Sequence, residues 1–177
     1  TIVVSVCRLR QHSREFWFER TKGDEEMNIG KLRADLEADE GIKHETYMCS
    51  ENKLTFGVGH LVLESDPEFS QPVGTSVSPE RVTECFEADI QTTLDDCRII
   101  FRDFDGFPEE AQLCLANMCY QLGRPSLSKF VKSVRYANDH MWSELSEEIL
   151  DSKWAKSQTP NRAKRISERL SLIEVPI

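Results

Sequence analysis

Residues 28–60 read NIGKLRADLEADEGIKHETYMCSENKLTFGVGH, and this stretch decides the fold. Its first part places apolar residues, among them Leu32 and Leu36, at helical spacing and reaches Gly41, a residue favoured just past a helix end. The segments ETYMC and KLTFGVGH follow, separated by the turn-forming SEN, and both are β-prone. The stretch therefore predicts a helix that ends at a small hairpin or three-stranded sheet, with Glu40 at the junction.

The rest of the chain is predicted to be mostly helical. Residues 64–77 are rich in Ser, Pro, Asp and Gly and predict a surface loop. Ser78 and Pro79 then open a long, half-buried helix, and PEEAQLCLANMCYQLG predicts a central helix that closes at Gly123. Further helices are expected around residues 126–136, 139–153 and 160–170. The pattern predicts an α+β fold, with a small β-containing lobe and a larger helical lobe.

Composition limits the possible classes of protein. The chain has 177 residues, 39% hydrophobic and 30% charged, enough to bury a core without metals or disulfides. No apolar stretch approaches the roughly 20 residues that cross a bilayer, and the apolar segment at residues 1–7 lacks the preceding basic residues of a signal peptide. We therefore expect neither membrane insertion nor a signal peptide. We interpret residues 1–26 as an amino-terminal extension and residues 27–177 as the main domain.

Charge is distributed unevenly along the chain. The net charge is −9 at pH 7, with −12 on residues 27–150 and +4 on residues 151–170. An acidic body speaks against nucleic-acid binding, because no basic groove that could follow a phosphate backbone is apparent. The basic carboxyl-terminal segment is either a solvated helix face or a face directed at substrate.

The six cysteines form no C-x-x-C pair, and we expect free thiols. They lie at positions 7, 49, 85, 97, 114 and 119. Several fall on apolar helical faces, where cysteine acts as a small hydrophobic residue.

The strongest functional signal lies around Glu40. Eight residues separate Glu40 from Cys49, and five more separate Cys49 from Thr55, which precedes the glycine-flanked segment ending at His60. Glycoside hydrolysis needs a carboxylic acid to protonate the departing oxygen and a second polar group to place or activate water. The spacing resembles the E-x8-(D or C)-x5-T signature of the phage-type lysozymes, glycoside hydrolase family 24, which includes tailed-phage endolysins.

Further blocks carry the same resemblance in the same order: DEGI at 39–42, TFGVGH at 55–60, ANMCYQLG at 116–123 and QTPNRAKR at 158–165. The similarity covers roughly residues 27–170. It implies a lysozyme-like fold with a peptidoglycan-binding cleft between the two lobes.

The resemblance also implies a role for each site residue. Glu40 is the expected general acid, Cys49 the second catalytic group and Thr55 the hydroxyl that orients water. An adjacent carboxylate would raise the pKa of a thiol, so Cys49 is a poor base unless a cation lowers its pKa. Cys49 could instead be a soft nucleophile or hold a water together with Thr55.

Other residues are expected around these three. His60 and Asp89 are expected to form a structural pair, and Arg162 is the expected cation beside Glu40. Gln121 and Gln158 are expected to contact substrate, with helix capping or surface polarity as the alternative.

The resemblance implies an enzyme that hydrolyses bacterial peptidoglycan at the β-1,4 bond between N-acetylmuramic acid and N-acetylglucosamine. No cofactor or metal is expected, because acid-catalysed glycoside cleavage needs none. A monomer is expected, which would accumulate in the host cytoplasm and then be released to the cell wall, or be delivered by a virion.

Two alternatives remain from the residues. A cell-wall peptidase or amidase would use Cys49 with His60 as its base, although no peptidase motif surrounds the cysteine. A lysozyme-like binding or structural virion module is the other, and the acidic body favours it somewhat, since a basic protein is attracted to anionic walls. A metal site at Cys49, His60 and Glu40 lacks suitable ligand spacing.

Overall fold

The computed structural model describes residues 27–174 and has two lobes. Helix α1 (Ile29–Glu40), which packs against the helical lobe, leads into the small lobe with strands β1 (Lys43–Met48), β2 (Leu54–Gly57) and β3 (His60–Leu61). The helical lobe contains α2 (Pro79–Ile100), α3 (Glu109–Leu127), α4 (Val131–Asn138), α5 (Trp142–Asp151) and α6 (Pro160–Ser171). Short 3₁₀ helices at Pro67–Ser70 and Phe104–Gly106 and a π-helical turn at Trp154–Gln158 complete the chain. The predicted α+β fold is confirmed. The proposed extension at residues 1–26 lies outside the described residues, as does Cys7.

Helix α1 ends where the sequence predicts. The Asn28 side chain accepts a hydrogen bond from the backbone N–H of Lys31 at its start, at 3.1 Å. At its other end Gly41 adopts φ 71°, a conformation that a residue with a side chain rarely adopts. The chain can therefore leave the helix immediately after Glu40 and enter β1.

The three strands form an antiparallel sheet in the order β1-β2-β3. Tyr47 lies opposite Thr55, and the register shifts between Lys43 and Tyr47. The loop predicted at residues 64–77 runs beside β1, where the Thr46 N–H donates to the Thr75 carbonyl at 2.9 Å. The loop therefore extends the small lobe and includes a 3₁₀ turn that its composition did not indicate.

The main core lies in the helical lobe and also receives Leu32 and Leu36 from α1. A smaller cluster beneath the sheet contains Phe56, Val62, Val77, Val82 and Cys85. Helix α2 begins as predicted, with the Ser78 side chain accepting from the Arg81 N–H at 3.2 Å.

The central helix α3 differs from its prediction at its end. Gly123, with φ 69°, marks a kink, and a further helical turn continues to Leu127. Its Ala111–Cys119 portion is almost completely buried, because it is apolar on most faces. Among the described helices, none combines the length and the apolar character needed to cross a bilayer.

Candidate active site

Glu40 lies at the junction of the two lobes. It is the last residue of α1, and its side chain retains 25% exposure. The β2–β3 turn, residues 58–59, passes directly beside it: a Cβ built on Gly59 would lie 3.6 Å from Glu40 Oε2. That distance is an ordinary van der Waals contact, but Gly59 has φ 74°, a backbone conformation that a residue with a side chain rarely adopts. The carboxyl group is thus partly enclosed and still open to a ligand.

A buried guanidinium holds one oxygen of this carboxylate. Arg162 Nη1 on α6 donates to Glu40 Oε1 at 2.5 Å, while its own side chain is only 7% exposed. Its Nε donates to Asn117 Oδ1 at 2.7 Å and its Nη2 to the Asn117 carbonyl at 3.1 Å. Asp39 Oδ2 lies 3.3 Å from Nε. Because a buried cation is stable only when paired and hydrogen-bonded, Asp39 and Asn117 determine where Arg162 presents its donor to Glu40.

Cys49 follows β1 in the tight turn that leads to β2. Its N–H donates to the Lys53 carbonyl at 2.9 Å, and Asn52, with φ 57°, allows the chain to reverse. The backbone N–H of Lys53 lowers the pKa of the Cys49 thiol below its usual range against the opposing effect of burial, and the Glu51 N–H lowers it further. The Glu51 carboxylate raises this pKa, as expected of a neighbouring carboxylate, but the hydrogen bonds outweigh it. Backbone N–H dipoles stabilise the thiolate, a role for which a cation was expected.

Thr55 lies on β2 beside the thiol and is buried. Its Oγ1 lies 3.0 Å from the Lys53 carbonyl, to which it donates. A hydroxyl that donates its proton to a carbonyl still has lone pairs that can accept a hydrogen bond.

Tyr47 joins the carboxylate to the thiol, although sequence reasoning left it outside the site. Burial raises the pKa of Tyr47. The charges of Glu40 and Cys49, which interact with the phenol, raise it further. Lys43 Nζ lies 3.8 Å from the centre of its ring. Alternation along the strand, which directs residues 47 and 49 to one face, is the signal that could have identified Tyr47.

His60 faces two carboxylates. Its Nδ1 lies 2.8 Å from Asp89 Oδ2 and its Nε2 lies 3.2 Å from Asp66 Oδ2. Burial disfavours the charged imidazole, but the hydrogen bonds to Asp89 and Asp66 outweigh it and raise the pKa of His60. Arg81 on α2 in turn contacts Asp66 at 2.8 Å and Glu68 at 3.3 Å. Asp89 was predicted as the partner of His60, whereas Asp66, which lies in the segment predicted as a surface loop, was not.

Two cavities lie between the lobes. One, of about 410 Å³, is lined by Ser50 and Glu51 on the small lobe and by Gln121 and Gln158 on the helical side. The other, of about 350 Å³, lies between β3 and helices α2 and α3 and is bordered by residues that include Gly59 and His60. The predicted cleft thus has polar side chains on both walls.

Gln121 has a fixed orientation in this cleft. Its Oε1 accepts from Trp154 Nε1 at 2.9 Å and from Thr159 Oγ1 at 3.3 Å. Because both donors engage the oxygen, the amide nitrogen is left as the group that can donate to a ligand.

The basic carboxyl-terminal segment is largely neutralised by acidic residues. Arg165 pairs with Asp39, and Arg169 pairs with Asp35 at 2.6 Å and with Glu110. Lys156 pairs with Asp151, and Lys164 lies 3.8 Å from Glu168. These pairs favour a structural role for α6 over a generally cationic substrate surface. Among residues 27–174, no group of three or more His, Cys, Asp or Glu side chains is arranged to hold a metal ion.

Comparison with known proteins finds relatives that are named as lysozymes and as a peptidoglycan hydrolase. No protein-family model matches the chain. It is similar to "Probable T4-type lysozyme 2" of Dictyostelium discoideum, with 27% identity over 157 residues that cover 78% of this chain and 92% of the relative. It is also similar to "Peptidoglycan hydrolase gp36" of Pseudomonas phage phiKMV, with 26% identity over 82% of this chain and 16% of the relative. The chain is thus similar to a lysozyme of the T4 type and to a phage peptidoglycan hydrolase.

A third relative is similar over only part of its own length. The "Pre-baseplate central spike protein Gp5" of Enterobacteria phage T4 is 27% identical over 152 residues, which are 75% of this chain and 26% of the spike protein. The residues predicted for the site divide into two groups in space. Arg162 pairs with Glu40, and Cys49 precedes the strand that carries Thr55, whereas the pair formed by His60 and Asp89 joins β3 to α2.

Proposed function

We propose that this protein is a phage-type lysozyme, a peptidoglycan hydrolase that cleaves the β-1,4 bond between N-acetylmuramic acid and N-acetylglucosamine, with Glu40 as general acid. The names of its relatives support peptidoglycan as substrate. The observation that carries the proposal is the partly exposed Glu40 carboxyl group between the lobes, with one oxygen held by the buried Arg162. A carboxylic acid fixed at the edge of a cleft is what protonation of a departing glycosidic oxygen requires.

The two oxygens of Glu40 would have different tasks. Arg162 binds Oε1 and fixes the rotation of the carboxyl plane. Oε2 lies beside the β2–β3 turn and would carry the proton that is transferred to the leaving group. Holding the proton donor in one orientation raises the rate of proton transfer, because fewer unproductive orientations are sampled.

Cys49 and Thr55 would act on the attacking water. The lowered pKa of Cys49 increases the thiolate fraction near neutral pH, and a thiolate can accept a proton from water. The Thr55 hydroxyl donates to the Lys53 carbonyl, so it would accept a hydrogen bond from the same water. Activation of water on the face opposite the leaving group would invert the anomeric centre.

The amidase alternative is disfavoured by the position of His60. Both ring nitrogens face carboxylates, at 2.8 and 3.2 Å, so neither is directed at the Cys49 thiol. A Cys–His hydrolase needs the imidazole within hydrogen-bond reach of the sulfur.

A binding or structural virion module is the second candidate function, favoured by the similarity to a phage spike protein. In either case the proposed binding partner is peptidoglycan, and the proposed oligomeric state is a monomer. The proposed site of action is the bacterial wall, which the protein would reach from the host cytoplasm or from a virion. Turnover distinguishes the two.

The test is hydrolysis of purified peptidoglycan by the wild type, Glu40→Gln and the matched control Glu37→Gln, which lies one turn earlier on α1. Mass spectrometry after borohydride reduction identifies the newly formed reducing sugar. We expect muramitol ends from the wild type and Glu37→Gln, and at least a hundredfold slower release from Glu40→Gln.

Glucosaminitol ends would refute the bond assignment, and released peptides would favour the amidase. Undiminished activity in Glu40→Gln would refute the general acid. Binding to peptidoglycan without turnover by the wild type would favour the structural module.

A further inference from the structure

Tyr120 connects the two lobes at a point close to Glu40. The residue lies on α3, and its hydroxyl donates to the backbone carbonyl of Val58 at 2.6 Å. Val58 belongs to the β2–β3 turn, 62 positions away in the chain. This hydrogen bond therefore ties the central helix of the large lobe to a turn of the small lobe.

The phenol is held firmly on the helical side. Its ring packs edge-on against Phe86 of α2, with centroids 6.0 Å apart. Burial raises the pKa of Tyr120 well above its usual value, and the charges of Asp89 and Glu40 add to the rise. The hydroxyl is thus protonated throughout the neutral range and remains a donor to the Val58 carbonyl.

The position of the turn bears directly on Glu40. The next residue in the turn, Gly59, lies so close that a Cβ there would be 3.6 Å from Oε2 and 3.8 Å from Cγ of Glu40. Arg162 holds the other oxygen, Oε1. The carboxyl group therefore lies between a guanidinium fixed by the helical lobe and a backbone turn fixed by Tyr120.

We propose that Tyr120 is a positioning residue of the hydrolytic site, which holds the β2–β3 turn beside Glu40 through its hydrogen bond to Val58. The inference rests on the proposed function. Without the hydroxyl, the turn keeps the packing of the buried Val58 side chain in the main core but loses its hydrogen bond to α3, so the backbone beside Glu40 Oε2 is held less tightly. The proton donor then samples more orientations, which slows the chemical step more than it weakens substrate binding.

The test compares Tyr120→Phe with Tyr136→Phe, which removes the hydroxyl of a partly buried tyrosine on α4. We expect kcat of Tyr120→Phe to fall about tenfold, as for the loss of about 1.4 kcal/mol, with KM changed less than twofold. Tyr136→Phe should match the wild type. Hydrogen exchange, measured without substrate, should be faster in the peptide covering residues 54–61 of Tyr120→Phe and unchanged in the peptide covering residues 142–151.

Unchanged kcat together with unchanged exchange at residues 54–61 would overturn the inference. A raised KM with an unchanged kcat would also overturn it, because it would mark Tyr120 as a substrate contact. A wild-type protein without turnover would refute the proposed function, and the exchange measurement would then decide separately whether Tyr120 holds the turn.

Discussion

Replacing Arg162 with methionine should destabilise this protein far more than the same replacement of Arg165, an exposed arginine that also pairs with Asp39. Arg162 is 7% exposed and donates to Glu40 at 2.5 Å and to Asn117 at 2.7 and 3.1 Å, with Asp39 at 3.3 Å. Methionine preserves much of the apolar volume but leaves two carboxylates without their shared cation. Removing one partner from a buried ion pair costs about 3–5 kcal/mol.

The matched control is Arg165→Met. Arg165 also pairs with Asp39 from α6, but it is 45% exposed. Solvent screening limits such a pair to about 0–1 kcal/mol. In a domain of this size 1 kcal/mol corresponds to about 2–4 °C in Tm, so we expect Arg162→Met to unfold about 6–20 °C below the wild type and Arg165→Met less than about 4 °C below it.

Thermal unfolding followed by circular dichroism, with urea titration for the free energy of unfolding, measures both variants at pH 7. Equal losses in the two variants would refute the reasoning, since burial of the cation would then have no energetic consequence. Arg162→Met could also lower the free energy of unfolding only slightly, and not at all in an Asp39→Asn background. That result would show that the network carries less energy than its burial implies.

Two further predictions concern titratable groups. Because its pKa is lowered, Cys49 should be alkylated by iodoacetamide at lower pH than a free thiol, and before Cys85 and Cys114, whose pKa values burial raises to about 11 and about 12; mass mapping of early products checks the order, and uniform labelling would contradict it. The raised pKa of His60 means that its stabilising contribution is fully present below its unfolded pKa of about 6.5 and is lost as pH rises through the higher folded value. Asp89→Asn should therefore lower Tm more at pH 5.5 than at pH 9, and an equal loss at both pH values would contradict the pairing.

The sequence identified the local elements because their signals are local. Gly41 ends α1, Ser78 and Pro79 begin α2, and the β-prone segments after Glu40 form the sheet, each through interactions within a few residues. Such preferences act on backbone conformation and need no distant partner. The loop at residues 64–77 shows the limit, since its composition indicated a surface segment while its backbone bonds to β1 depend on a strand far earlier in the chain.

The candidate site was predictable as a set of residues, but its electrostatics was not. The spacing from Glu40 to Cys49 and Thr55 is visible in one line of sequence, and family resemblance added Arg162. The lowered pKa of Cys49 arises from the direction of backbone N–H groups in a tight turn, which residue types do not specify.

The sequence by itself thus determined where α1 ends, where α2 and α6 begin and which residues are candidates for the chemistry, whereas α4, expected from residue 126, begins at Val131. Only the tertiary structure decided how the carboxyl group is held: Glu40 on α1 meets Arg162 from α6, 122 positions away, and Tyr120 on α3 reaches Val58. Asp66, the second partner of His60, also depends on how the loop folds back. These contacts exist because apolar faces pack the helices and sheet together, and only that packing selects which polar side chains meet in the cleft.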